Sequence, residues 1–155
     1  MQSASYRVSS DRAQLDVSLI HEYLSCESYW ARHVPRAVIE RAIANSICFG
    51  LYETERQIGF ARVVTDSATF GYLADVFIVA SHRGRGLGRT LVAAVMAHPD
   101  LQGLRRFMLA TRDAHGLYRQ FGFTAPKHPQ VLMERHDPDI YLGSAPPPEG
   151  CSRRT

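Results

Sequence analysis

The chain has 155 residues, 45% of them apolar, and a formal net charge of +3 with acidic and basic residues interspersed. That length and apolar content suit one domain with a real core and are short for two. The mixed charge gives no sign of a nucleic-acid footprint, and no apolar run approaches the length that crosses a bilayer, so neither nucleic acid nor membrane is expected as a partner.

Residues 6–8 read as a first strand. A helical pattern follows in which Leu15, Leu19, Ile20, Tyr23 and Leu24 share one face, ending by about Ser25. The connection over residues 26–31 carries the only tryptophan. Glu27, Tyr29 and Trp30 there are candidates to line a pocket for a cationic or aromatic substrate, or else pack the loop down. Pro35 opens a second helix with an apolar stripe at Val38, Ile39, Ala42 and Ile43. Residues 47–52 and 58–64 form a hairpin around a charged loop, and Asp66-Ser67 turns the chain into a third antiparallel strand over 70–78. That strand is apolar on both faces, as a covered central strand should be, with Asp75 its one ionisable interruption. A buried carboxylate is costly unless it is paired or faces a polar cleft, so Asp75 is singled out.

The strand then meets Arg83-Gly84-Arg85-Gly86-Leu87-Gly88-Arg89, a basic glycine turn, and from Leu87 the apolar period changes from two to 3.6. Leu87, Leu91, Val92, Val95 and Met96 form the buried side of the new helix, which stops before Pro99. Residues 107–110 are the next strand; with the helix as crossover it lies parallel to the strand over 70–78. Thr111 or Asp113 caps a short helix over 114–121, and Gly122 terminates it. Phe123 starts a final strand region continued by Val131, Leu132 and Met133. The domain is expected to occupy 1–142, with 143–155 a disordered tail rich in proline and small polar residues.

Cys26, Cys48 and Cys151 are odd in number and far apart, which reads against a disulfide framework or a zinc site and towards a reducing cytoplasm. The seven histidines show no ligand spacing, so no metal is expected; His82 and His115, near the candidate chemistry, read as surface residues.

A strand entering a helix through glycines leaves the first helical N–H groups unpaired and pointing outward. Those donors, the helix dipole and nearby guanidinium groups together suit a pyrophosphate. A Walker loop fails for want of Gly-Lys-Ser/Thr, and a dinucleotide fingerprint fails because its third glycine position falls on Arg89. Arg83-x-x-Gly86-x-Gly88 instead resembles the acyl-CoA signature of the GNAT N-acetyltransferases. Thr111-x-x-Ala114-x-x-Leu117-Tyr118-x-x-x-Gly122-Phe123 resembles the second signature of that family, in the right order and spacing.

The resemblance implies an α/β fold: a mixed, mostly antiparallel sheet flanked by helices, whose fourth and fifth strands splay apart around the pantetheine arm of acetyl-CoA. It implies that Val76, Phe77 and Ile78 bind the donor through backbone groups and that Arg83, Gly84, Arg85, Gly86, Leu87, Gly88 and Arg89 hold its pyrophosphate. Thr111 and Ala114 fall on cofactor-contacting positions and Tyr118 on that of the general acid; Thr111 stands where the family usually has asparagine, and Ala80 where proline is common.

Direct acetyl transfer needs a neutral amine, an oxyanion held by aligned donors, and a proton for the departing thiolate. An alkylamine of pKa about 10 must first lose a proton. Asp75 is the first candidate base and Glu27 the second, while a water relay also suffices. The expected activity is acetylation of a primary amine on a small molecule, with acetyl-CoA as co-substrate and a homodimer allowed. The rivals are a protein or peptide acceptor and a non-catalytic acyl-CoA sensor, against which retention of Tyr118 argues.

Overall fold

Five strands run in sequence order across one sheet, β1 (Tyr6–Ser9), β2 (Ile47–Glu53), β3 (Arg56–Thr65), β4 (Phe70–Ile78) and β5 (Arg106–Leu109). The computed structural model describes residues 3–143 and Cys151. β1 to β4 pair antiparallel, β2–β3 and β3–β4 through short turns and β1–β2 across the intervening helices, and β4 to β5 is parallel, as the intervening helix crossover requires. Asp66 shapes the β3–β4 turn: its carboxylate accepts from the backbone N–H groups of Ala68, Thr69 and Phe70 and from the Thr69 hydroxyl.

Helix α3 (Leu87–Ala97) covers one face of the sheet, burying Leu87, Leu91, Val92 and Val95 against Phe49, Leu51, Ala61, Val63 and Leu73. The other face carries α1 (Val17–Glu22), a π-turn (Tyr23–Glu27) and α2 (Arg36–Ala44), whose Ile20, Leu24, Ile39 and Ile43 pack with Cys48, Phe60 and Phe77. Fully burying a side chain of the size of Leu or Ile contributes about 1.5–3 kcal/mol, so these two layers hold the molecule together.

Leu73 and Phe77 face opposite layers although they lie an even number of residues apart on one strand. The cause is a β-bulge. Ala74 pairs with Arg62 and Phe77 with Phe60, so Asp75 and Val76 together oppose Ala61 alone. Asp75 takes the left-handed conformation, φ +55°. Aspartate tolerates that region better than β-branched or large apolar residues do.

Three expectations are corrected. After β5 the described residues contain no further strand: Val131 lies in a 3-10 turn (Pro129–Val131) and Met133 is 98% exposed. Strand propensity at Val131 to Met133 has no ladder partner here, and a lone extended segment gains nothing from it. Second, Cys26 and Cys151 form a disulfide, while Cys48 is the free, buried thiol. Sequence distance says little about spatial distance, and the inference of a reducing compartment loses its premise. Third, His82 is buried, not a surface residue. The expected tail over 143–155 lies outside the described residues, apart from Gly143 and Cys151. Among the described residues no helix is long and apolar enough to cross a membrane, and no group of three or more potential ligands is placed to hold a metal.

Candidate active site

The parallel ladder between β4 and β5 runs from Phe70 and Arg106 to Leu73 and Leu109 and stops there. Beyond it, β4 continues through Val76, Phe77 and Ile78, paired on one side with β3 only. Its other edge has no strand partner, so backbone groups there can meet a ligand lying in the gap, the Ile78 carbonyl already accepting from Arg83. The bulge at Asp75 lies where the two strands part, so it sets which way the free edge faces.

The gap opens onto the N-terminus of α3. A 3-10 turn (Ala80–His82) leads from β4 into the glycine loop, where Gly84 and Gly86 have φ of +76° and +73°. A Cβ built at either glycine meets nothing within 4 Å, so the space over the backbone is open. Gly86 is the N-cap residue and supplies no side-chain acceptor, which leaves the first helical N–H groups available. The loop therefore fits a pyrophosphate: a left-handed backbone, clear space and unpaired donors at the positive end of an eleven-residue helix.

The arginines are placed differently from one another. Arg83 donates from Nε to the carbonyl of Ile78 at 3.1 Å and from Nη2 to the Tyr23 hydroxyl at 2.7 Å. Arg85 donates to the Tyr6 hydroxyl at 3.1 Å and to the carbonyl of Ser81 at 3.2 Å. Both brace the loop from outside. Arg89, exposed on the first turn of α3, makes no hydrogen bond or ion pair among the described residues. Burial pushes the Tyr23 phenol up, while the adjacent Arg83 charge pulls the other way. The Tyr23 ring stacks on Phe77 with centroids 3.9 Å apart, so the brace also touches β4.

Helix α4 (His115–Arg119) brings Tyr118 to the same region. Thr111 Oγ1 accepts from the N–H of Ala114 at 3.0 Å in the turn before the helix, whose N-cap residue is Ala114, without a side-chain cap, and Gly122 ends the turn at φ +87°. Tyr118 is 8% exposed and packs in the α3 layer, its ring edge-on to Phe123. Burial, then the nearby Tyr29 and Asp113, push its phenol up to about 12. The hydroxyl makes no hydrogen bond among the described residues. Tyr118 also borders a cavity of about 840 Å³ on the outer side of β5, with Phe107, Leu109, His115, Phe123 and Leu132.

Residues 29 and 30, from the connection between α1 and α2, reach across the gap. Trp30 donates its indole N–H to Asp75 Oδ1 at 2.8 Å, and Tyr29 accepts from the backbone N–H of Arg112 at 3.1 Å. The Arg112 guanidinium lies over the Tyr29 ring at 3.8 Å, and the two aromatic rings meet edge to face. One aromatic is thus tied to β4 and the other to the segment after β5, and both remain about two-fifths exposed. Asp75 Oδ2 accepts from Arg62 Nε at 2.6 Å, and Arg62 also reaches Ser46 Oγ at 3.2 Å. Asp75 is therefore paired, as a buried carboxylate must be. Glu27 is exposed at the end of the π-turn, with no hydrogen bond or ion pair among the described residues.

Sequence reasoning singled out Asp75, Tyr29, Trp30 and Tyr118, and the fold gathers them at one end of the β4–β5 gap. It missed Arg62 and Arg112. Arg62 alternates with Ala61 and Val63 on β3, a pattern that marks its face but not its partner. Arg112 sits inside the second signature at a position the motif leaves unspecified.

Residues 17–123 match the model of the acetyltransferase (GNAT) family, well over half of the chain. A protein of Gibberella zeae, whose name marks it as an assigned and not a demonstrated acetyltransferase, is 38% identical over 135 residues, covering 73% of this chain and 75% of its own. A GNAT-family structure from Xanthomonas campestris pv. campestris superposes with a TM-score of 0.87 at 56% identity, covering 89% of this chain and 97% of its own. An aminoglycoside N-acetyltransferase in complex with CoA shares the fold, with a TM-score of 0.60 at 18% identity over 87% of this chain and 97% of its own.

Proposed function

The chain belongs to the GNAT acetyltransferase family, and on that premise we propose that it transfers acetyl from acetyl-CoA to a primary amine of a small molecule by direct attack. The observation that carries the reading is the end of the β4–β5 ladder at Leu73 and Leu109, with open, uncapped donors at Gly84 to Gly88 and Tyr118 beside the gap. Bound acetyl-CoA supplies the activated thioester. Backbone groups of Val76, Phe77 and Ile78 hold the pantetheine arm and acetyl carbonyl, and the loop N–H groups with Arg89 hold the pyrophosphate. Arg83 and Arg85 keep the loop in shape from behind. Thr111 and Ala114 form the wall on the β5 side.

The amine enters beneath Tyr29 and Trp30, whose exposed faces suit an ammonium or an aromatic group. Asp75 keeps lone pairs beyond the two it gives to Arg62 and Trp30 and takes the amine proton through a water; Glu27 stands second. The phenol of Tyr118, held protonated by burial, gives its proton to the leaving thiolate. A small acceptor is favoured over a protein segment because the two aromatics bridge the gap and narrow its mouth.

The test is a screen of polyamines, amino acids, aminoglycosides, arylalkylamines and peptides with acetyl-CoA, read as thiol release. Turnover with one small-amine class supports the reading. Turnover with peptides alone transfers it to a protein acceptor. Tight CoA binding with no turnover on any class makes the chain a sensor.

A further inference from the structure

Nothing packs over the glycines at 84 and 86, so the loop backbone takes its shape from the contacts at its borders. His82 is the residue immediately before Arg83 and one of few buried polar side chains, 6% exposed. Its Nε2 lies 2.9 Å from Oε2 of Glu53, at the end of β2, and its Nδ1 lies 2.8 Å from the Ser81 hydroxyl. An ionised carboxylate only accepts, which assigns the proton of that contact to Nε2, and Nδ1 is left to exchange a hydrogen bond with the Ser81 hydroxyl. The same turn is held a second time, where Arg85 reaches the carbonyl of Ser81. Both ring nitrogens are thus engaged, and the ring ties the entrance of the loop to the β2–β3 hairpin. Contact with His82 is also the largest cause that lowers the Glu53 carboxyl below its ordinary range, with Arg85 and Arg56 adding to it.

We propose that His82 and Glu53 are positioning residues for the diphosphate of the acyl donor: the pair pre-orders the Gly84–Gly86 backbone so that binding does not have to. The inference rests on the acetyl-CoA reading above. A loop already held in its bound shape loses less conformational freedom when the ligand arrives, and the gain appears as affinity. The chemistry selects a donor bearing a diphosphate and confers nothing on an acyl thioester that lacks one.

The test compares acetyl-CoA with S-acetylpantetheine, which has the same thioester and no diphosphate, in His82→Leu, Glu53→Ala, the double variant and His82→Gln. Loss of this partly exposed contact, felt through a looser loop, should raise KM for acetyl-CoA by roughly 10-fold. KM for S-acetylpantetheine should stay within about two-fold of native, and the double variant should be no worse than either single one, since both remove the same contact. His82→Gln retains an amide donor for Glu53 and should recover most of the affinity. Calorimetry with CoA and with pantetheine gives the same comparison without turnover. Should His82→Leu not fold, Glu53→Ala at the partly exposed strand end carries the test. Equal weakening toward both donors, or native affinity for acetyl-CoA in folded His82→Leu and Glu53→Ala, overturns the proposal while leaving the acetyltransferase reading intact. Failure of the native protein to bind CoA overturns both.

Discussion

Tyr118→Phe isolates one proton. The substitution keeps the ring and its contacts with Phe123 and the α3 layer, and the hydroxyl it removes makes no hydrogen bond among the described residues. Stability at neutral pH should therefore change by less than about 0.5–1 kcal/mol, below the cost of a lost hydrogen bond. Turnover should fall roughly 10²-fold, the usual contribution of a general acid, which is about 2.7 kcal/mol of transition-state stabilisation. The phenol sits near 12 because it is buried, so the native acid stays protonated through the whole assay range. The deficit of the variant should shrink above about pH 8.5, where a thiol of that pKa leaves as the thiolate without help. The folded phenol lies above its unfolded value near 10, so its burial contributes stability present below about pH 10 and lost between there and about 12. The phenylalanine variant should resist alkaline unfolding over that window better than the native protein. The assays are kcat at saturating acetyl-CoA from pH 6 to 10 and base titration followed by circular dichroism. A native rate at every pH would return Tyr118 to a packing role and hand the acid step to water or another side chain.

Asp75→Ala should cost about 2–4 kcal/mol in urea unfolding, combining strain at φ +55° with an unpaired Arg62 that is one-fifth exposed, whereas Asp75→Asn should cost about half as much. If Asp75 takes the amine proton, Asp75→Asn should also lose most rate below pH 8 and recover as the acceptor deprotonates itself; an unchanged pH profile refutes that role. Burial pushes the Cys48 thiol up to about 11, so native protein at pH 8 should resist thiol reagents until it unfolds, and rapid labelling of Cys48 would contradict its placement. The Cys26–Cys151 bond spans 125 residues, for which chain entropy gives up to about 5 kcal/mol, less whatever the ordering of the C-terminal segment costs. Reductant and Cys151→Ser should lower the melting temperature alike, and no shift with either would show that the bond contributes nothing.

The parts of the site legible in the sequence are those whose causes are local. A change of period from two to 3.6, glycines where φ turns positive, Thr111 ahead of α4 and Gly122 behind it are each set by a few adjacent residues. Two such patterns at the right spacing sufficed for the family. What the tertiary structure decided are the pairings across long stretches of chain. Leu73 and Phe77 look like one face by alternation, and only the register of β3 against β4 places an extra residue at Asp75 and sends them to opposite layers. That Arg83 and Arg85 reach the Tyr23 and Tyr6 hydroxyls is settled only by packing, which brings those distant tyrosines to the loop. His82 looks like a surface histidine until β2 brings Glu53 to it, and Cys26 looks free until Cys151 returns across the whole domain. Val131 to Met133 carry the residue types of a strand, yet a strand requires a neighbour whose free edge faces it. Backbone conformation responds to the nearest few side chains, whereas a hydrogen bond, an ion pair or a buried face depends on which distant segment packing places opposite.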